Sequence, residues 1–130
     1  ARYGSTMITD NPSSKTGLAI AERYEAAVAY HYPIVQRCPR RHGKLRDALL
    51  TVMVDQVGLL YHAAKSRQVS RLHAADANLA TLRFWLRFAA DPAVRIITPG
   101  QHRAALKLLA EVGAMLGSWI AGSGTGGRGK

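Results

Sequence analysis

Leu72–Phe88 reads LHAADANLATLRFWLRF and combines a regular apolar pattern with two arginines. Its apolar positions alternate spacings of three and four, which is typical of a helix that buries one face: Leu72, Ala75, Leu79, Leu82, Leu86 and Ala89. At 100° per residue, Arg83 and Arg87 lie on one flank of that face, and Phe84 and Phe88 lie roughly opposite it. A simple surface helix would place charge there. The pattern therefore predicts a helix buried on two sides, in an oligomer that presents arginine to a partner.

Three further helices are predicted around this one, so that helices cover residues 18–37, 44–68, 70–90 and 99–121. Pro33 is expected to kink the first helix or to separate its last turn. Thr98 suits an N-cap, and Pro99 suits the first position of the fourth helix. No run of strand length alternates apolar and polar residues. Four helices with short links predict an all-α, antiparallel up-down-up-down bundle.

The second and fourth helices also carry apolar faces. The face predicted for the second helix consists of Leu45, Leu49, Val52, Gln56, Leu59 and Ala63. The fourth helix shows two apolar rows, the first with Leu106, Leu109, Gly113, Leu116 and Ile120, the second with Leu108, Val112, Met115 and Trp119. A monomeric bundle needs one apolar stripe per helix. We therefore predict subunit contacts through Phe84, Phe88, Trp119, Met115 and Leu108. The alternative is a wide core, with these rings covered by the N-terminal segment or by the bend after Pro33.

The remaining segments are polar or rich in glycine. Residues 1–17 have no apolar period and are predicted to form a disordered leader. Residues 18–121 form the four-helix bundle in this interpretation, and residues 122–130 a flexible glycine-rich tail. The 130 residues thus correspond to one folded domain.

The composition indicates a polyanionic partner. The chain has 18 Lys and Arg against 8 Asp and Glu, which gives a formal net charge of +10. Most of the basic residues are Arg, whose planar guanidinium suits phosphate. Cys38 is the single cysteine, so no intrachain disulfide framework exists. Without an evident signal peptide or membrane-spanning run, the prediction is a cytoplasmic protein with no membrane contact.

The sequence shows no arrangement typical of an enzyme. A Glu-x-x-His pair, as used by metal sites in helical bundles, does not occur, and the five histidines lack paired ligand spacings. No glycine-rich phosphate loop follows a strand. We therefore predict no catalytic residue, no metal and no cofactor.

Basic residues cluster in three places. The first group, at the link between helices one and two, contains Arg37, Arg40, Arg41, His42, Lys44 and Arg46. The second group, Lys65, Arg67 and Arg71, surrounds the next link. The third is Arg83 with Arg87. The alternatives are a solvated turn for the first group, compensation of the helix dipole for the second, and salt bridges between subunits, to Asp76, Asp55 or Glu111, for the third. From these groups the predicted nucleic-acid or polymerase contacts are Arg83, Arg87, Arg71, Arg67, Arg40, Arg41, Lys44 and Arg37.

Several runs of the chain resemble the accessory variability determinant family of diversity-generating retroelements, and in particular its phage-type members. They are ERYE at 22–25, YPI at 32–34, PRRHG at 39–43, AKSRQVSRL at 64–72, AADA at 74–77, LRFWLRF at 82–88 and AEVGAMLGSWI at 110–120. The likeness covers about residues 20–121. A wider relationship connects the family to four-helix bundles encoded in intervening sequences of ribosomal RNA genes.

The resemblance implies a four-helix bundle that assembles as a ring-like homopentamer. It also implies a basic surface that binds RNA or DNA, and a partner reverse transcriptase that copies template RNA into cDNA with errors at adenines. The chain would then be a non-catalytic accessory subunit in the cytoplasm of a bacterial or phage-infected cell. The alternative is a structural or protein-interaction bundle whose basic surface recruits an acidic partner.

Overall fold

In the computed structural model, the backbone is described for residues 12–66 and 68–128, and the side chains for residues 16–66 and 68–123. Over the described backbone the chain forms four α-helices and a short 3-10 turn, with no strand. The elements are α1 (Pro12–Gln36), the 3-10 turn (Arg40–His42), α2 (Gly43–Ser66), α3 (Val69–Ala89) and α4 (Pro99–Arg128).

The helices pack in a closed antiparallel arrangement. Contacts join α1 to α2, α2 to α3, α3 to α4 and α4 back to α1. This confirms the predicted four-helix bundle. In an up-down-up-down bundle, the α1–α2 and α3–α4 links lie at one end, and the α2–α3 link lies at the other.

Two helices extend further than their sequence patterns indicate. Helix α1 begins at Pro12, inside the segment predicted as a leader, and α4 continues to Arg128, beyond its predicted end near residue 121. Proline suits a first helical position because its missing N–H would have no intrahelical acceptor. At the other end, each added residue of α4 adds one backbone hydrogen bond, which offsets the poor helix propensity of glycine. Residues 1–11, 129 and 130 lie outside the described part of the chain.

Pro33 does not end the first helix, because α1 runs through it to Gln36. The turn that follows is closed by backbone hydrogen bonds from Arg37 to Ile34 and from Cys38 to Val35. Cys38 is buried, and its Sγ lies 3.6 Å from the carbonyl oxygen of Pro39. Burial raises the pKa of this thiol, which keeps it protonated.

The start of α4 has a reciprocal cap. The Gln101 amide donates to Thr98 Oγ1 at 3.0 Å, and the Thr98 amide donates to Gln101 Oε1 at 2.9 Å. These bonds satisfy two backbone donors that the first turn leaves open. The predicted N-cap at Thr98, with Pro99 first in the helix, is therefore confirmed.

Helix α3 buries the face that its sequence predicts. All six predicted positions are buried: Leu72, Ala75, Leu79, Leu82, Leu86 and Ala89. The face of α2 is rotated slightly from the prediction. Met53 and Leu60 are fully buried, whereas Val52 and Leu59 are only partly buried. Leu49, Gln56 and Ala63 are buried as predicted.

The two apolar rows predicted for α4 form one wide face. The described residues of α4 that are fully or almost fully buried are Ala105, Leu109, Val112 and Leu116. Leu109 and Leu116 belong to the first predicted row, and Val112 belongs to the second. Leu108, Met115 and Trp119 are partly buried and pack against the same core. A side chain added at Gly17 of α1 would lie 3.3 Å from the Trp119 ring. These three residues therefore pack partly within their own subunit, and the start of α1 lies beside Trp119.

Polar side chains tie α1, α2 and α3 together inside the core. The Tyr24 hydroxyl donates to the carbonyl oxygen of Met53. Gln56, which is fully buried, donates to the carbonyl oxygen of Ala75 at 3.0 Å and accepts from Asn78 at 2.6 Å. Because buried amides must find partners, these bonds favour one axial register of α2 against α3.

In the described part of the chain, one helix, α4, is long and apolar enough to be a candidate membrane span. Pro99–Ser123 contains an 18-residue stretch with a mean hydropathy of 1.4, and the helix is long enough to cross a bilayer by length and composition alone. Its many alanines and glycines are only weakly apolar, so the stretch is not a dense apolar run. Leu109, Val112 and Leu116 are buried in the bundle. Since the core helix of a soluble protein meets the same criterion, this is weak evidence for a span.

Candidate nucleic-acid interface

The topology brings two of the basic groups to one end of the bundle. Arg37, Arg40, Arg41 and Lys44 are exposed around the α1–α2 link. Arg87 ends α3, and Arg95 and Arg103 belong to the α3–α4 link and the first turns of α4. We call these seven residues the basic end. The acidic residues nearest to it in sequence are Asp47, which accepts from Arg46 at 3.3 Å, and Asp91.

Arg83 lies in the groove between α3 and α4 and is half-buried. Its Nη1 would lie 2.9 Å from a side chain built on Gly113. Gly113 therefore gives space to an arginine of its own chain. No heavy atom lies within 4 Å of a side chain built on Gly117.

Alanine substitutions should distinguish Gly113, which lies beside Arg83, from Gly117, which has open space around it. Gly117→Ala should raise the free energy of unfolding by up to about 1 kcal/mol, because alanine is the better helix former. Gly113→Ala should gain less, since its methyl group displaces the Arg83 guanidinium. Urea denaturation of both variants checks this prediction, and equal gains would contradict the placement of Arg83 over Gly113.

Arg87 is exposed and is held by an aromatic ring. Its guanidinium carbon lies 5.3 Å from the centroid of the Phe84 ring, a cation–π distance. Phe84 and Phe88 in turn make edge-to-face contacts with Trp85, at 5.0 and 6.1 Å between ring centroids. The stacking orients Arg87 and leaves its N–H donors available.

Among the described side chains, neither Arg83 nor Arg87 forms an ion pair. Across the described side chains, the ion pairs are Arg23–Glu111 at 3.0 Å and Arg46–Asp47. Glu111, one of the acids considered as a partner between subunits, thus pairs with Arg23 of its own chain.

The second basic group lies at the other end of the bundle. Arg71 Nη1 is 3.4 Å from His62 Nδ1, and Arg71 Nε donates to Gln68 at 3.5 Å. At ~1.5 Å per residue, the positions of Arg71 and Arg87 in α3 are about 24 Å apart. Arg67 was predicted as a contact and lies outside the described residues. The predicted set therefore divides between two separate surfaces.

Arg103 and His102 were missed by the sequence analysis. Arg103 occurs on the narrow polar side of α4, and only the bundle topology shows that it lies beside the end of α3. The side chains of Arg87, His102 and Arg103 line one cleft. Burial, followed by the charges of Arg87 and Arg103, lowers the pKa of His102.

The outer face of α3 exposes the two phenylalanines. Phe84 is 46 % exposed and Phe88 is 44 % exposed, which is high for rings of this size. Val54, Val57 and Tyr61 of α2 are also exposed. The described side chains contain no cluster of three or more His, Cys, Asp or Glu that could hold a metal ion.

Comparison with known protein families identifies a relationship for this chain. The family model described as bAvd-like matches residues 18–122, which includes the whole basic end and most of the described bundle. No curated protein matches the chain. The matched segment covers well over half of the chain, and we conclude that this protein belongs to the bAvd-like family.

Proposed function

We propose that this chain is a non-catalytic accessory subunit of a diversity-generating retroelement, which binds nucleic acid through its basic end and associates with the reverse transcriptase of the element. The bAvd-like family suggests an accessory role of this kind. The observation that supports nucleic-acid binding is the concentration of exposed cations at one end of the bundle, against few acidic groups. The proposed setting is the cytoplasm of a bacterial or phage-infected cell.

The chemistry of the basic end favours phosphate over base recognition. Guanidinium groups form charge-assisted hydrogen bonds with phosphate oxygens. The described fold offers no recognition helix of a helix-turn-helix and no platform of stacked aromatic rings for single strands. Contacts of this kind position template RNA or cDNA without selecting its sequence. In this proposal the adenine-directed errors arise in the reverse transcriptase.

Assembly into a ring-like homopentamer is part of the proposal. The exposed Phe84 and Phe88 supply an apolar surface for a neighbouring copy. Leu108, Met115 and Trp119 contribute less to such an interface, because each is already partly buried in its own subunit. Closed symmetry would repeat Arg87, beside Phe84, around the ring and so concentrate positive charge.

A salt titration tests the nucleic-acid proposal. The protein should bind both a random-sequence duplex and a single-stranded RNA. The logarithm of the binding constant should fall linearly with the logarithm of the salt concentration, with a slope of about −0.9 per phosphate contacted on duplex DNA. Affinities for unrelated sequences should agree closely. Fluorescence anisotropy at several salt concentrations measures both quantities. If no binding occurs at low salt, the nucleic-acid proposal is wrong, and recruitment of an acidic protein becomes the better explanation of the charge.

A further inference from the structure

The basic end contains a defined cleft where α3 ends and α4 begins. Its volume is about 320 Å³, and its lining includes Arg87, His102 and Arg103. Pro92 and Pro99 form part of its wall, and proline carries no N–H. The polar donors that line the cleft therefore come mainly from the two arginines and the histidine.

Arg87 is held in position by an aromatic ring, and neither Arg87 nor Arg103 has an ion-pair partner among the described side chains. Phe84 stacks on Arg87, as described above. Arg103 folds back over the first turn of its own helix, with Nη2 3.8 Å from a side chain built on Gly100. Neither arginine is among the ion pairs found across the described side chains. Because the position of Arg87 is partly fixed, a ligand would lose less entropy in ordering it.

The histidine adds an unused polar atom. His102 Nε2 is inaccessible to solvent and has no hydrogen-bond partner among the described residues. Because Nε2 is inaccessible, His102 contributes other atoms of its ring or backbone to the lining of the cleft. Asp91 also lines the cleft, where its carboxylate offsets part of the charge of the two arginines, and its Oδ1 accepts from the Ala93 amide at 2.8 Å.

The size and charge of the cleft indicate a small anion. Binding sites for small molecules usually measure about 300–1,000 Å³, so this cleft lies at the lower end of that range. Two guanidinium groups matched to one anion suit the oxygens of a phosphate. The cleft offers no long aromatic surface for a base.

We propose that the cleft formed by Arg87, His102 and Arg103 is a discrete phosphate-binding site, which takes one phosphate group of the bound nucleic acid. The inference rests on the proposed function for the source of the phosphate. It differs from a general basic surface because a particular pair of arginines and one histidine form the site, and other exposed cations of α4 do not.

The first experiment tests the cleft without nucleic acid. The full-length protein is titrated with inorganic phosphate at constant ionic strength, and the imidazole signals of the five histidines are followed by NMR. The His102 signals should move in a saturable way and its pKa should rise, because an anion offsets the charges of Arg87 and Arg103. His73, exposed on α3, provides the internal control. Shifts shared equally by both histidines, or no shift of His102, would overturn the proposal.

The second experiment uses a matched pair of substitutions. Arg103→Gln removes a cation that lines the cleft, and Lys107→Gln removes an exposed cation one turn later on the same helix. With a short oligonucleotide, Arg103→Gln should weaken binding about tenfold and reduce the salt slope by about 1. Lys107→Gln should change the affinity less than twofold. Equal effects of the two substitutions would contradict a discrete site.

Two forms of the oligonucleotide identify the source of the phosphate. If a 5′-phosphorylated strand binds more tightly than its 5′-hydroxyl form, and Arg103→Gln abolishes the difference, the site takes a terminal phosphate. Equal affinities that remain sensitive to Arg103→Gln identify an internal phosphate. Failure of the wild-type protein to bind either strand, while inorganic phosphate still moves His102, would refute the proposed function and retain the site.

Discussion

The double charge reversal Arg83→Glu/Arg87→Glu is expected to lower nucleic-acid affinity by about a hundredfold or more, because it removes two phosphate contacts and adds repulsion. The salt slope should fall by about 2 at the same time. Anisotropy titrations against the wild-type protein measure both changes. Association with the reverse transcriptase, followed by co-purification, should also be lost if the polymerase uses this surface.

A reversal at the other end of the bundle gives the matched control. Lys65→Glu/Arg71→Glu produces the same change in net charge at the other end of the bundle, where Arg71 lies about 24 Å from Arg87 along α3. Under the proposal its effect on affinity is several times smaller. If both pairs weaken binding equally, the whole surface attracts nucleic acid and the basic end has no special role.

The same double variant separates binding from assembly. Sedimentation velocity should show an unchanged particle, because the proposed subunit contacts are the apolar rings of Phe84 and Phe88, and Arg83 has a contact at Gly113 of its own chain. If the variant instead dissociates into monomers, the two arginines are bridges between subunits. Arg83→Gln/Arg87→Gln, which removes charge without reversing it, guards against a general loss of folding.

Periodicity predicted the parts of the fold that depend on one helix at a time. The six buried positions of α3, and the cap formed by Thr98 ahead of Pro99, follow from spacing and residue type alone. On α2 the apolar side chains cover a wide arc, so periodicity could not decide between Val52 and Met53 as the centre of the face. Only the positions of α1 and α3 settle that choice.

Contacts between helices could not be predicted from any single helix. The Gln56–Asn78 bond joins residues that lie 22 positions apart, and neither residue signals the other in the sequence. Arg103 likewise gains its significance from the antiparallel topology, which places the start of α4 beside the end of α3. The arginines of α3 stood out because they interrupt an apolar helix, whereas Arg103 lies where a polar residue is ordinary.

Lowering the pH from 7 to 5 is expected to reduce the free energy of unfolding by about 2 kcal/mol through His31 alone. His31 of α1 is 1 % exposed, and neither ring nitrogen has a hydrogen-bond partner among the described residues. Burial lowers its pKa from 6.5 to about 4. The unfolded chain therefore binds a proton before the folded chain does. The contribution of neutral His31 to the free energy of unfolding is therefore fully present above pH 6.5. It is lost progressively as the pH falls towards 4.

His31→Leu should remove most of this pH dependence without a large loss of stability at pH 7. The substitution replaces an unpaired polar ring by an apolar side chain of similar size, and an unsatisfied buried polar group costs about 1–3 kcal/mol. Urea denaturation at pH 7 and pH 5 measures the difference, at one protein concentration because assembly also contributes to stability. His73→Gln, on the exposed side of α3, should retain the wild-type dependence. If His31→Leu retains it as well, the proton is taken up elsewhere, and His102, whose pKa is also lowered, becomes the next residue to substitute.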